Sequence, residues 1–235
     1  MVTRIDRALP ALALFMILAL PGCSGAGTPT ATVEPTTSTA FVIEDAGIET
    51  NLPAGTYTSR LFEPALAFEL GDGWYRRDEN SDRAINLRRA PDFTEDVTFI
   101  SGPDFLQCGT GEVVAKPDAS TIVDGLTSSE MLDTTEPVEV PVGDLKGTAI
   151  RLNGGGEAVP EEDFGRSNEY GCIASIGDDP WPAESLWVMM MPDTAMLLIL
   201  VEVDDTTVII RGRPDADPDT FYDLVLDVAE HVSLG

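Results

Sequence analysis

The sequence predicts an α+β fold in which an antiparallel β-sheet, built of a meander and hairpins, is packed between helices. Three observations predict it. Short segments of alternating apolar residues, bounded by Gly, Pro, Asp and Asn, recur from Thr56 onward, which is the pattern of antiparallel strands with one buried face. Met196–Val201 is apolar without alternation, so one central strand is covered on both sides. Pro218–Glu230 carries the cap and apolar stripe of a helix that can cover one of those sides.

The first 40 residues stand apart from that pattern. Arg4 and Arg7 precede an apolar run, Ala8–Leu20, that ends in Leu20-Pro21-Gly22-Cys23. This is the layout of an export signal with a cysteine at the cut, and the run is shorter than the roughly 20 residues a membrane span needs. The four residues resemble the lipobox of bacterial lipoprotein signal peptides, with Pro21 in place of the usual small residue. The resemblance implies cleavage before Cys23 and a diacylglyceryl thioether on its sulfur, carrying palmitate-type chains. Two buried chains anchor stably where one does not. The expected localisation is the extracytoplasmic face of a cell membrane. Residues 1–22 are then a signal peptide and residues 23–40 a Thr/Pro/Gly/Ser-rich tether reaching about 20–25 Å as a coil. Residues 41–235 form one globular domain.

Three cysteines less the anchor leave Cys108 and Cys172, and an exported chain permits one intramolecular pairing of these. A Cys108–Cys172 disulfide is expected, closing a loop worth on the order of 4 kcal/mol in the chain-entropy model. Two free thiols are the alternative.

Within the domain, strands are expected at Thr56–Phe62, Ala65–Leu70, Ile85–Arg89, Val97–Ser101, Val138–Val142, Gly147–Leu152 and Tyr170–Ile176. Pro117–Thr127 differs. Ala119, Ile122, Val123 and Leu126 fall on one helical face. Leu186–Met191, Ala195–Val203 and Thr206–Arg211 read as a meander, the last two joined by the two-residue turn Asp204-Asp205. Asp217 is the N-cap of the closing helix, Pro218 its first residue, and Phe221, Leu224, Val225 and Val228 its apolar stripe.

Leu52–Trp74, Val138–Leu152 and Thr220–Gly235 together resemble a loose group of exported bacterial proteins related to the PsbP-like fold. That resemblance implies an α/β/α sandwich and roles in partner binding and assembly. It brings no catalytic motif and no cofactor. Gly154–Asn168, an acidic Gly-rich insertion, departs from the pattern.

Charge narrows the partners. The chain has 41 acidic and 14 basic residues, a net charge of −27, which opposes nucleic-acid and anionic-headgroup binding. Its longest basic groupings are Arg76-Arg77 and Arg88-Arg89.

His231 is the only histidine, so no zinc set and no second triad can be assembled. At the end of the last helix, it is a position where the dipole favours imidazolium. Asp215, Asp217 and Asp219 alternate like calcium ligands, but Thr220 and Leu226 stand where an EF-hand needs Gly and Glu. They read as helix-capping residues. Trp187, Met189 and Met191 read as core, and Trp181, between two prolines, as an exposed partner contact.

No catalytic residue, metal site or cofactor is assigned. The expected function is a lipid-anchored, non-enzymatic binding module that holds the membrane through Cys23 and contacts another protein or envelope component. A carboxylate-based hydrolase and a small apolar-ligand binder are the alternatives.

Overall fold

The computed structural model describes residues 40–77, 82–89, 94–106, 113–129, 132–154, 173–175, 195–215 and 217–235. Residues 1–39, which hold Cys23 with the expected signal peptide and nearly all of the expected tether, lie outside these residues, as do Cys108, Cys172, Trp181 and the expected strand Leu186–Met191.

Strands β1 (Phe41–Val42), β2 (Asn51–Leu52), β3 (Gly55–Thr58), β4 (Leu66–Leu70), β5 (Trp74–Arg76), β6 (Ala84–Arg89) and β7 (Asp96–Ser101) come first. Then follow β8 (Asp104–Leu106), β9 (Val113–Val114), helix α1 (Ala119–Thr127), β10 (Leu132–Thr134), β11 (Val138–Val142), β12 (Leu145–Gly154) and β13 (Ile173–Ser175). The chain closes with β14 (Ala195–Val203), β15 (Thr206–Arg213), helix α2 (Pro218–Glu230) and β16 (Ser233–Leu234).

The principal sheet runs β10-β12-β14-β15-β7-β6-β5-β2, with β11 also pairing β12, and every pairing in it is antiparallel. A smaller sheet runs β1-β3-β4-β16, and β8 pairs with β9 and β13. The class is therefore α+β.

β14 is the centre, and its apolar run divides by alternation. Met196, Leu198 and Leu200 join Ile150, Leu152 and Ile209 on one face, beneath Ile122 and Leu126 of α1. Leu197, Ile199 and Val201 join Phe99, Val208 and Ile210 on the other, beneath Phe221 and Val225 of α2. Each of these helix residues is almost fully buried, worth about 1.5–3 kcal/mol apiece. α2 approaches closely because Gly212 has no side chain, and a Cβ there would sit 2.6 Å from Val225 Cγ2.

The fold is richer in sheet than a sheet flanked by helices alone. Beside α2 the smaller sheet covers the same face, where Phe68, stacked on Tyr57 at 5.8 Å within that sheet, meets Phe99 of the principal sheet at 5.0 Å.

Two expectations need correcting. The strand expected at Thr56–Phe62 stops at Thr58, because Ser59 Oγ accepts the N–H groups of Leu61 (3.2 Å) and Phe62 (2.9 Å) and turns the chain. The second edge of β14, where a meander would set Leu186–Met191, is paired by β12, with Ile150 opposite Leu198. Within the strand expected at Tyr170–Ile176, the described residues Ile173–Ser175 do form a strand, and it pairs with β8 outside the principal sheet.

Both expected helices form, capped by aspartates. Asp118 accepts from the Thr121 N–H at 2.7 Å, and Asp217 from the Thr220 N–H at 3.3 Å and hydroxyl at 2.8 Å. No helix among the described residues is long and apolar enough to cross a membrane.

Candidate binding face

On the α1 side of the principal sheet the strands change character along their length. Ile209 stands opposite Ile100 in the apolar core, and two residues further on Arg211 stands opposite Thr98, then Arg213 opposite Asp96. β6 continues the rows, with Asn86 opposite Thr98 and Arg88 opposite Asp96. β5 adds Tyr75 opposite Arg88, and the Arg77 N–H continues the ladder to the Asn86 carbonyl at 3.0 Å. Side chains opposite one another share a face. Among the described residues, Arg77, Arg211 and Arg213 thus pair with Asp96 on one polar end of the sheet, and Arg88 stands opposite it on the same face. The same alternation sends Arg76 and Arg89 to the opposite face, splitting both basic dipeptides.

Asp96 is fully buried. Its Oδ1 accepts from Arg211 Nη2 at 2.5 Å, and Arg211 Nη2 also reaches Thr98 Oγ1 at 2.8 Å. Arg213 Nη2 lies 2.6 Å and Arg77 Nη1 4.0 Å from Oδ2. The Arg211 side chain is 6% exposed, whereas those of Arg77 and Arg213 are 30% and 41% exposed. Burial pulls the Arg211 pKa below the usual arginine value, and the Asp96 charge opposes the shift. Guanidinium stays charged throughout the physiological range and only donates. This cluster can therefore position and neutralise an acceptor, but it cannot shuttle protons.

Two clefts lie elsewhere. One of about 380 Å³ is lined by Glu63, Arg83, Ser101, Lys116, Asp204 and Thr207. The Arg83 guanidinium there bonds the Ser101 carbonyl at 3.3 Å and also the Gly102 carbonyl. The other, about 550 Å³, is lined by Glu69, Asp144, Glu230 and His231. His231 caps α2, and its Nδ1 lies 2.8 Å from the Asp227 carbonyl, which raises its pKa as the helix end favours. Among the described residues, no group of His, Cys, Asp or Glu is arranged to hold a metal.

The residues singled out from sequence thus separate. Asp217 is a helix cap, as its place before Pro218 predicts. Cys23, Cys108, Cys172 and Trp181 lie outside the described residues. The arginine cluster was missed. Its signal is the change from Val208–Ile210 to Arg211 and Arg213 within one strand, repeated as Asp96 and Thr98 leading into Ile100.

No protein-family model matches the chain, and no curated protein matches it. Among solved structures it is similar to the solution structure of cyanobacterial PsbP (CyanoP) from Synechocystis sp. PCC 6803. The TM-score is 0.42 and the identity 10%, over 80% of this chain and 95% of that one.

Proposed function

We propose that this chain is a lipid-anchored, non-enzymatic binding protein on the extracytoplasmic face of a cell membrane, which meets its partner through the arginine-bearing sheet face. The observation that carries the binding reading is the gathering of Arg77, Arg88, Arg211 and Arg213 about the buried Asp96, in a chain of net charge −27. Arginine is favoured wherever carboxylate or phosphate geometry is recognised, and its constant charge suits holding better than catalysis. The anchor is supported by Leu20-Pro21-Gly22-Cys23 after an apolar run, with residues 24–40 as tether. Trp181 is a second contact in this reading. A PsbP-like α/β/α arrangement is the finer fold we infer, supported by α1 and α2 on opposite faces of one antiparallel sheet.

Crosslinking the anchored protein in cells and identifying its neighbours tests the reading. A reproducible partner, lost on Arg213→Glu, is expected. Equal capture by the variant, or none by either chain, would remove it. Cys23→Ser should release the protein from the membrane fraction, and retention there would overturn the anchor. We further propose the Cys108–Cys172 disulfide. Alkylation of the unreduced protein should leave its mass unchanged, and two added alkyl groups would exclude the bridge.

A further inference from the structure

We infer that the arginine-bearing face is a site for a compact oxyanion of phosphate size, seated beside Arg77 and Arg213 over Asp96. This deepens the binding-face reading and rests on it. The two guanidiniums converge on the same oxygen, Asp96 Oδ2, at 4.0 and 2.6 Å, and both are partly open to solvent. Asp96, fully buried, fixes their positions from beneath without supplying more than one negative charge. Arg211, also buried, holds Asp96 through Oδ1 and ties it to Thr98. The result is a preorganised pair of forks on a rigid sheet, the geometry that matches oxyanions.

Long-range and short-range fields then select the size of the ligand. At a net charge of −27 the molecule repels extended polyanions and anionic bilayers. A single small anion within about 8–10 Å of the arginines feels mainly the local cluster, because salt screens the remoter charges.

Calorimetric titration of the full chain in detergent with inorganic phosphate, against chloride at equal ionic strength, tests the site. Saturable one-to-one binding is expected, weakened at least about tenfold by Arg213→Gln and left unchanged by Arg60→Gln, since Arg60 pairs with Asp45 elsewhere. Absence of saturable binding, or equal loss in Arg60→Gln, would overturn the inference. If Arg213→Gln fails to fold, Arg77→Gln takes its place under the same criterion. Flotation of the Cys23→Ser chain with anionic phospholipid vesicles, abolished by the arginine substitution, would move the phosphate source from solution to headgroups and overturn the compact ligand. Phosphate binding without a crosslinked partner keeps this inference and sinks the partner reading. Partner capture that depends on Arg213 without phosphate binding does the reverse.

Discussion

Asp96 is the residue on which the polar end of the sheet turns. Its ion pair with Arg211 is closed to solvent, so its Coulomb attraction is little screened and its loss strands a buried charge. Asp96→Asn is expected to lower the unfolding free energy by about 3–5 kcal/mol. The exposed pair Lys146–Glu139, at 78% and 67% exposure, should contribute under about 1 kcal/mol. Urea unfolding of Asp96→Asn and Glu139→Gln compares them directly, and equal midpoints would refute the distinction. Tyr222 gives the opposite case. Its hydroxyl is buried with no hydrogen-bond partner among the described residues, its ring lies under the Arg151 guanidinium at 4.8 Å, and burial pushes its pKa up to about 12. Tyr222→Phe removes an unsatisfied polar atom while keeping the ring. The variant should equal or exceed the parent in stability, by up to about 1 kcal/mol, and a loss of that size would reveal a partner.

At the scale of elements, the run Met196–Val201 shows what was legible in the sequence. Six apolar residues without alternation required cover on two faces, and α1 and α2 supply it. Both helices were legible too, since spacing and an aspartate cap are local signals. Register is not local. Asp96 meets Arg213 across more than a hundred residues, and nothing near either residue announces the other, so the arginine face stayed hidden. Short pieces such as β1, β2 and β16 were missed because two residues cannot display a period, and pairing alone makes them strands. β16 also depends on a glycine remote from it. Gly143, between β11 and β12, has φ +54°, and a Cβ there would fall 1.8 Å from the Val232 carbonyl oxygen. Gly143→Ala should therefore displace the chain entering β16 and unpair Leu234 from Leu66, costing at least about 1–2 kcal/mol from the left-handed conformation alone. Faster amide exchange in β16 and β4 than in β14 is the expected signature. Unchanged exchange would show that the C-terminal strand docks independently of that turn.

For the whole molecule, charge and pKa shifts together set a stability optimum on the acidic side of neutrality. Asp118 and Asp217 are held below the ordinary aspartate value of 3.8, chiefly by hydrogen bonds from the Thr121 and Thr220 side chains. Their contribution is present above that value and is lost as pH falls through the lower folded ones. His231 is raised above 6.5, first by its bond to the Asp227 carbonyl and then by Asp227, Glu69 and Glu230. Its contribution is complete below 6.5 and is lost as pH rises through the folded value. The net charge of −27 adds self-repulsion, which eases as carboxylates take up protons. Thermal unfolding should accordingly be hardest between about pH 4.5 and 6.5, and easier toward pH 8. Salt separates the causes, because about 0.5 M sodium chloride shortens the Debye length to a few ångströms and suppresses the self-repulsion component. What slope remains near neutrality in the full chain should disappear in His231→Gln. A melting temperature that climbs steadily from pH 5 to 8, or a slope that survives both salt and substitution, would place the pH response in groups other than this histidine.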